Sequence, residues 1–492
     1  MNRYKTLPAM AMATGMLLVA MPLNAQASQI DDLKASIQKL NDEVNQLQKQ
    51  QAAAAAAQPG APAKYAPQPI WRPWTTPSYP DPGAPVVNGP LSMTIKGATF
   101  TIYGDIDEYA NHMTSDSGHT INALEDGAIL RSRWGLKGDK PVAPGYEMKF
   151  CMESGFNVLN GKQADTPSTP APAGSGSTYS GRLFDRQAWL GVLTPIGEFR
   201  VGRQNSTIQQ LGGEIDYAAR NLGGVINLFG VPSRYDSDLS FLSTRFFGFS
   251  FQGHISVGGT AVTNSANGNI SNIGNQRVYQ LMADYKRGPW TAGYMEIVGE
   301  PPAGGTNAAP PKSGTNVVYL NPYVNYDYGK GKIWLAAVHS NNNGNTYNSS
   351  GAVVLFNGGS PLGNTGVTAN SNTGTLNNGS VAGSTVDLNT YYNIYQGSAS
   401  YIITDKLVVG GLYGVIRDIT YHVKNAHGWN IGAFYDVFKD THTYLMYDVI
   451  KNDAGAGFTQ AASAGLSPNF SAANDVNGRK ITGVQLGVMY NF

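Results

Sequence analysis

After residue 97 this chain alternates short connections with long ones, a pattern that few folds tolerate. Turn signals mark tight connections at 140–145, 194–197, 246–247, 286–289, 328–331, 404–406 and 439–441. Between them run polar stretches at about 113–125, 157–181, 206–233, 259–275, 301–314, 342–390, 418–426 and 452–478. Seven short turns and eight long loops separate about sixteen strands. A sandwich rarely sorts its loop lengths this way. A transmembrane barrel does, with turns at one rim and loops at the other.

The last segment, Lys480 to Phe492, shows what such a strand presents. Thr482, Val484, Leu486, Val488, Tyr490 and Phe492 share one face, and Ile481, Gly483, Gln485, Gly487, Met489 and Asn491 share the other. Side chains alternate across a sheet, so the first face is apolar and ends in two aromatics, while the second is mostly small or polar. Lipid demands that every backbone group be paired, so a spanning sheet must close on itself. The expectation is an all-β transmembrane antiparallel barrel of about sixteen strands over residues 97–492, its last strand pairing with its first.

Composition agrees and excludes other classes. Of 492 residues 59 are Gly, 27 are Tyr and only 14% are charged, as suits a wet barrel with aromatic girdles. A formal net charge of +1 predicts no nucleic-acid partner. Cys151 is the single cysteine and the seven His are scattered, so neither a disulfide framework nor a metal site is expected. No nucleophile elbow, Walker loop or zinc-protease motif is present. The expectation is no cofactor, no metal and no enzymatic activity.

Upstream of the barrel the chain changes character twice. Residues 1–27 read as a cleaved export signal: Arg3 and Lys5, an apolar run from Ala9 to Met21, then Ala25-Gln26-Ala27. Ile30, Leu33, Ile37, Leu40, Val44 and Leu47 step by three and four, the seam of a short coiled coil over residues 28–57. Residues 58–96 form an Ala/Pro-rich linker containing Trp71 and Trp74.

Three blocks resemble the general porin family of Gram-negative outer membranes. They are Ser132–Gly138 with Met152–Asn157, then Phe184–Gly191, then Gly197–Gln204. With Ile102-Tyr103-Gly104-Asp105 and the terminal Phe492, the resemblance runs from about residue 97 to the end. It implies an outer-membrane location, a homotrimer, and a third loop folded inward to narrow the pore. The extension at 28–90 is not part of that family pattern.

Parity and this resemblance together nominate residues. Ile129, Arg131, Arg133, Gly135 and Lys137 fall on one face of the second strand. Arg or Lys facing mid-bilayer lipid costs about 2–4 kcal/mol, so that face is luminal. By parity Arg186 joins Ala188, and Arg200 joins Glu198 and Gly202. Arg133 and Arg186 stand at the family's wall-arginine positions, and Arg234 matches a third more loosely. The expected basic wall is therefore Arg131, Arg133, Arg186, Arg200 and Arg234. Asp105 and Asp107 are expected as luminal acids, although the family often has a base at the former. The inward loop is Ser206 to about Ser233, with Glu214 and Asp216 as constriction acids and Arg220 where relatives commonly carry an acid. Arg203 has the opposite parity from Arg200, which leaves a subunit-interface role open.

The expected activity is passive diffusion of ions and small hydrophilic solutes through a water-filled channel in outer-membrane lipid. Two alternatives stay open at this point. One is a channel selective for sugars or carboxylates. The other is a structural barrel whose residues 28–74 reach the cell wall.

Overall fold

The computed structural model describes residues 38, 39, 42, 91–161, 163, 183–219, 223–226, 234–256, 278–299, 317–340, 345–348, 351–354, 392–419, 425–454, 456–458, 460, 470 and 473–492. The chain divides into two compact units, Met1–Pro69 and Ile70–Phe492. In the first, residues 38, 39 and 42 are helical. The export signal, the rest of the coiled coil, and the linker up to residue 90 lie outside the described residues, as does Arg220.

The strands of the second unit are β1 (Ser92–Ile95), β2 (Ala98–Ser115), β3 (Thr120–Asp126), β4 (Arg133–Ala143), β5 (Tyr146–Gly155), β6 (Gln187–Thr194), β7 (Gly197–Asn205), β8 (Arg234–Ser243), β9 (Phe249–Ser256) and β10 (Val278–Arg287). They continue with β11 (Trp290–Gly299), β12 (Val317–Asp327), β13 (Lys332–Ser340), β14 (Asn345–Asn348), β15 (Gly351–Val354), β16 (Tyr392–Ile402), β17 (Leu407–Asp418), β18 (Ala426–Phe438), β19 (Thr441–Asn452) and β20 (Lys480–Asn491). β14 and β15 form a separate hairpin, and the other eighteen make one antiparallel sheet that closes where β2 pairs with β20. β3 and β4 pair with successive halves of β2 and so share one wall position. β1 pairs with the start of β2, continuing the position of β20. Eighteen strands less these two leaves a closed barrel of sixteen.

Closure rests on the chain terminus. Gly104 and Phe492 exchange both backbone hydrogen bonds at 3.0 Å. The Phe492 ring lies over Gly104, where a Cβ would come within 2.8 Å of its Cε1. On β20, Leu486, Val488, Tyr490 and Phe492 face outward and are exposed, whereas Ile481, Gln485 and Met489 face inward and are buried. Outward Leu190, Phe199, Val201, Leu239, Phe251, Leu281, Leu335, Ile431 and Leu445 are likewise exposed. They continue the apolar surface around the wall, the surface a barrel shows to lipid.

All seven short connections join strands as expected. Two features differ from the sequence reading. The connection expected at about 113–125 is a turn at 116–119, because β2 runs to Ser115 and β3 starts at Thr120. The uninterrupted alternation from Ile129 to Lys137 also fails, since residues 127–132 leave the sheet between β3 and β4. Gly127 takes φ +83° there. One oxygen of a luminal acid holds the excursion, and its other oxygen is anchored on β19. Asp107 Oδ2 accepts from the Ile129 and Leu130 amides at 2.9 and 2.8 Å, and Oδ1 accepts from Tyr444 Oη at 2.6 Å. Arg131 therefore sits in this excursion, 3.8 Å from Asp126, and not on a strand.

Candidate functional site: the docked third loop and the arginine wall

The connection between β7 and β8 starts with two short helical turns, α1 (Thr207–Gln210) and α2 (Gly212–Ile215). Ser206 caps the first, its Oγ accepting from the Gln209 amide at 3.2 Å. The loop then crosses the barrel interior. The Thr207 amide donates to Gln280 Oε1 on β10 at 2.9 Å, and Trp334 Nε1 on β13 donates to the Gly213 carbonyl at 2.9 Å. Further on, the Tyr217 amide donates to Ser398 Oγ on β16, and its hydroxyl donates to Asn430 Oδ1 on β18 at 2.6 Å. The Ile226 amide donates to Gln396 Oε1 on β16 at 3.0 Å.

What seats the loop is apolar contact. Ile208, Leu211, Ile215, Tyr217, Val225 and Ile226 are buried in one cluster with inward Trp334, Ile394, Leu412, Ile416 and Phe434. Two cross-strand glycine pairs shape the receiving wall: Gly410 opposite Gly432, and Gly414 opposite Gly428. Tyr217 lies in the first pair, and a Cβ on Gly410 would fall within its ring. Val225 lies in the second, where a Cβ on Gly414 would come within 2.8 Å of its Cβ and 3.0 Å of its Cγ1 methyl. These sockets went unread in the sequence. Their signal is glycine four residues apart, at alternate inward positions, on two neighbouring strands.

Of the two loop acids, Glu214 is the one that stays accessible. Its side chain is 34% exposed, and its Oε2 accepts from Lys332 Nζ at 3.2 Å and from Asn325 Nδ2 at 2.8 Å. Burial works to raise its pKa, but Lys332, the Asn325 amide and Lys286 outweigh that and hold it below the usual glutamate range. Asp216 is 1% exposed and turned into the seam, accepting from the Ala218 amide at 2.9 Å and from Gln396 Nε2 at 3.3 Å.

The arginines stand on β4 to β8, across the ring from the loop's dock. Arg133 pairs with Asp105 at 2.7 Å, both partly accessible. Arg186 pairs with Glu153 at 2.7 Å, both buried. Glu153 also lies within Coulombic range of Arg133 and Arg234, and accepts from Tyr103 Oη at 2.8 Å. Parity alone misplaces Arg186, because it precedes β6: Ala188 lies on the outward parity, yet the guanidinium reaches an inward acid. Arg200 pairs with Glu198 at 2.6 Å and stacks over the Trp189 ring at 3.9 Å. Arg234 is fully buried, with Arg186, Arg203, Glu153 and Asp185 as its charged neighbours. Arg203 sits at the bulge following Gly202 (φ +132°) and donates to the Asp185 carbonyl at 2.6 Å. Cys151 is buried, 3.3 Å from Tyr103 Oη. Most luminal charge on these strands is thus neutralised laterally within the wall.

A family model described as Gram-negative porin matches residues 52–455. The chain belongs to the Gram-negative porin family. An outer membrane porin protein of Bordetella pertussis is 28% identical over 160 residues, which are 30% of this chain and 38% of that relative. The match therefore spans well under half the relative's length. The barrel is similar to an anion-selective porin from Comamonas acidovorans, with a TM-score of 0.55, 18% identity, and coverage of 80% of this chain and all of that one. It is also similar to OmpF of Salmonella typhi solved with daunomycin, with a TM-score of 0.50, 14% identity, and coverage of 82% and 100%. At these identities the likenesses speak to the fold alone. This porin is a protein of the Gram-negative outer membrane, where its apolar outer face meets lipid.

Proposed function

We propose that this porin forms a water-filled channel for passive diffusion of ions and small hydrophilic solutes. One observation carries the reading: the third loop is lodged inside the barrel against β10 to β19, opposite the arginine-bearing strands. A polypeptide fixed there narrows the lumen, and no moving part is required. Glu214 on the loop and Arg133 with Asp105 on the wall supply the transverse field, which orients water and favours polar solutes over apolar ones. Because Asp216 serves the seam, the field is weaker than two loop acids would make it. Arg220, where relatives commonly carry an acid, lowers cation preference further.

We read the oligomer as a trimer. This is the assembly that the resemblance to the porin family implies.

Planar-bilayer recording of the purified protein tests the proposal. Large ohmic steps closing in thirds, with a shallow reversal potential under a salt gradient and no block by sugars or small acids, are expected. Small steps blocked by one solute at submillimolar concentration would make it a selective channel, and absence of conductance would refute the pore.

A further inference from the structure

We infer that the short-turn rim over β4 to β9 is a docking surface for this chain's own aromatic linker segment, Ile70-Trp71-Arg72-Pro73-Trp74. Its centre is a groove between two turns. Gly145, at φ +78°, brings the β4–β5 turn so close to the β6–β7 turn that a Cβ on it would lie 3.3 Å from Pro195 Cγ. The groove beside this contact has a volume of about 610 Å³, with Pro141, Val142, Pro144, Tyr146, Leu193 and Pro195 on its walls. Apolar surface continues onto the neighbouring turns. Ile196 is exposed, and Phe246 and Phe247 are 70% and 76% exposed with their ring centroids 4.3 Å apart. Phe247 also holds φ +51°, a conformation that is uncommon and costly for a bulky residue. A strained aromatic left in water gains nothing for the fold; a segment that covers it gives it a use.

Parity argues against lipid as that cover. Glu147 and Leu193 pair across β5 and β6 on the luminal side, so the groove reaches over the inner lip of the wall and away from the lipid face. Charge points to the occupant. Glu147 is the one charged residue on the groove's walls, and among the described residues its side chain makes no hydrogen bond or ion pair. The cations around it are engaged or turned away. Lys149 and Arg200 share Glu198 at 3.1 and 2.6 Å, Arg245 pairs with Asp284 at 2.8 Å, and Lys140 lies opposite Met148 on the outward side. Asp139, opposite Lys149, adds a second luminal acid. An apolar, Pro-walled groove with an unmatched acid fits an apolar segment with one cation. Ile70 to Trp74 is such a segment: one Arg between two Trp, beside a Pro. Pro-rich chains are recognised by grooves of this kind.

Reach is ample. The Leu91 carbonyl accepts from the Ile102 amide at 3.2 Å, and Thr101 lies opposite Ser92 of β1 on one side and Lys137 of β4 on the other. The chain therefore enters the sheet two strand spacings, about 10 Å, from β4. Sixteen residues run from Trp74 to Pro90, and a Pro-rich chain of that length can span about 50 Å at roughly 3.1 Å per residue. Segment and groove both belong to the second compact unit. A tether this short gives an effective concentration of about a millimolar, so even weak affinity fills the groove.

The test uses the full-length protein carrying Cys151→Ser/Val142→Cys, labelled at the new thiol with bimane, whose emission an indole quenches on contact. Trp71→Phe/Trp74→Phe is expected to raise that emission severalfold. Glu147→Lys turns an attraction into a repulsion and should lower the docked-to-free ratio by about fivefold to tenfold; adding Arg72→Glu should restore the quenching. Heat-modifiable gel migration establishes that each variant is a folded barrel, and the linker changes leave the wall untouched. Emission that ignores the Trp double variant, or a charge swap that restores nothing, would overturn the proposal. So would emission in lipid vesicles that is blue-shifted and indifferent to Trp71 and Trp74, which would give the groove to the bilayer. Oligomers refolded from labelled Trp71→Phe/Trp74→Phe chains and unlabelled wild-type chains should stay bright; quenching there would place the segment on a second copy instead.

Discussion

Gly410 offers the sharpest test of how the third loop is held. A methyl group there would occupy space taken by the Tyr217 ring, with Cε2 only 2.6 Å away. The ring cannot yield sideways, because Gly432 backs it on the next strand and its hydroxyl is tied to Asn430. Overpacking a filled site of this kind costs about 1–3 kcal/mol. Displacing the ring also breaks the Tyr217–Asn430 hydrogen bond and leaves a buried amide oxygen unpaired, a further 1–3 kcal/mol or so. A central value of about 4 kcal/mol corresponds to a change approaching a thousandfold in the docked-to-undocked ratio. Gly410→Ala should therefore give larger and noisier single-channel steps, with a lower urea midpoint in lipid vesicles. Tyr217→Ala alone should weaken the dock by about 3–5 kcal/mol. Adding Gly410→Ala to it should cost almost nothing, since the methyl then enters vacated space. If Gly410→Ala is as damaging without the ring as with it, or leaves conductance quiet and unchanged, the socket does not seat the loop as described.

Glu214→Gln should shift the reversal potential towards anions and leave folding nearly unchanged, because the carboxylate is partly exposed and Asn325 can still bond the amide; bilayer recording in a salt gradient reads both. The same group sets a pH dependence. Its folded pKa is depressed, so its contribution to docking is complete above the ordinary glutamate value of about 4.3 and is lost as pH falls below it; channel noise should rise only in that acid range, and Glu214→Gln should abolish the rise. Arg186→Ala removes one member of a buried pair, but Glu153 keeps Tyr103 and the nearby Arg133 and Arg234, so the loss expected in urea titration is below the about 3–5 kcal/mol of a stranded buried charge. Leu445→Lys places a charge on the exposed apolar wall and should cost about 2–4 kcal/mol in lipid, but much less in detergent, where water reaches the wall.

The barrel was legible because its signals are local. Period-two alternation and turn chemistry fix strand and connection within a dozen residues, so β20 and all seven short turns could be read directly. The site was legible only in part, because its contacts are remote. Parity puts Arg133 and Asp105 inward, but it cannot foresee that Asp107 would hold the Ile129 and Leu130 amides with one carboxylate oxygen and Tyr444 with the other. Nor can it separate Glu214 from Asp216, two residues apart in one loop, since their difference lies in Lys332 and Gln396 more than a hundred positions away. The apolar dock left a trace in Lys332–Ser340. Trp334, Ala336 and Val338 face in while Ile333, Leu335 and Ala337 face out, and a strand apolar on both sides is one covered on both sides.

The glycine sockets also bear on how the barrel is made. Tyr217 finds Asn430 across 213 residues of chain, so the loop is synthesised long before the wall that receives it. Until the two meet, β13, β16, β17 and β18 carry apolar side chains on both faces, and only one face will ever see lipid. The third loop is thus a lining as well as a constriction: it gives the inner face of those strands the apolar cover that lipid gives the outer one.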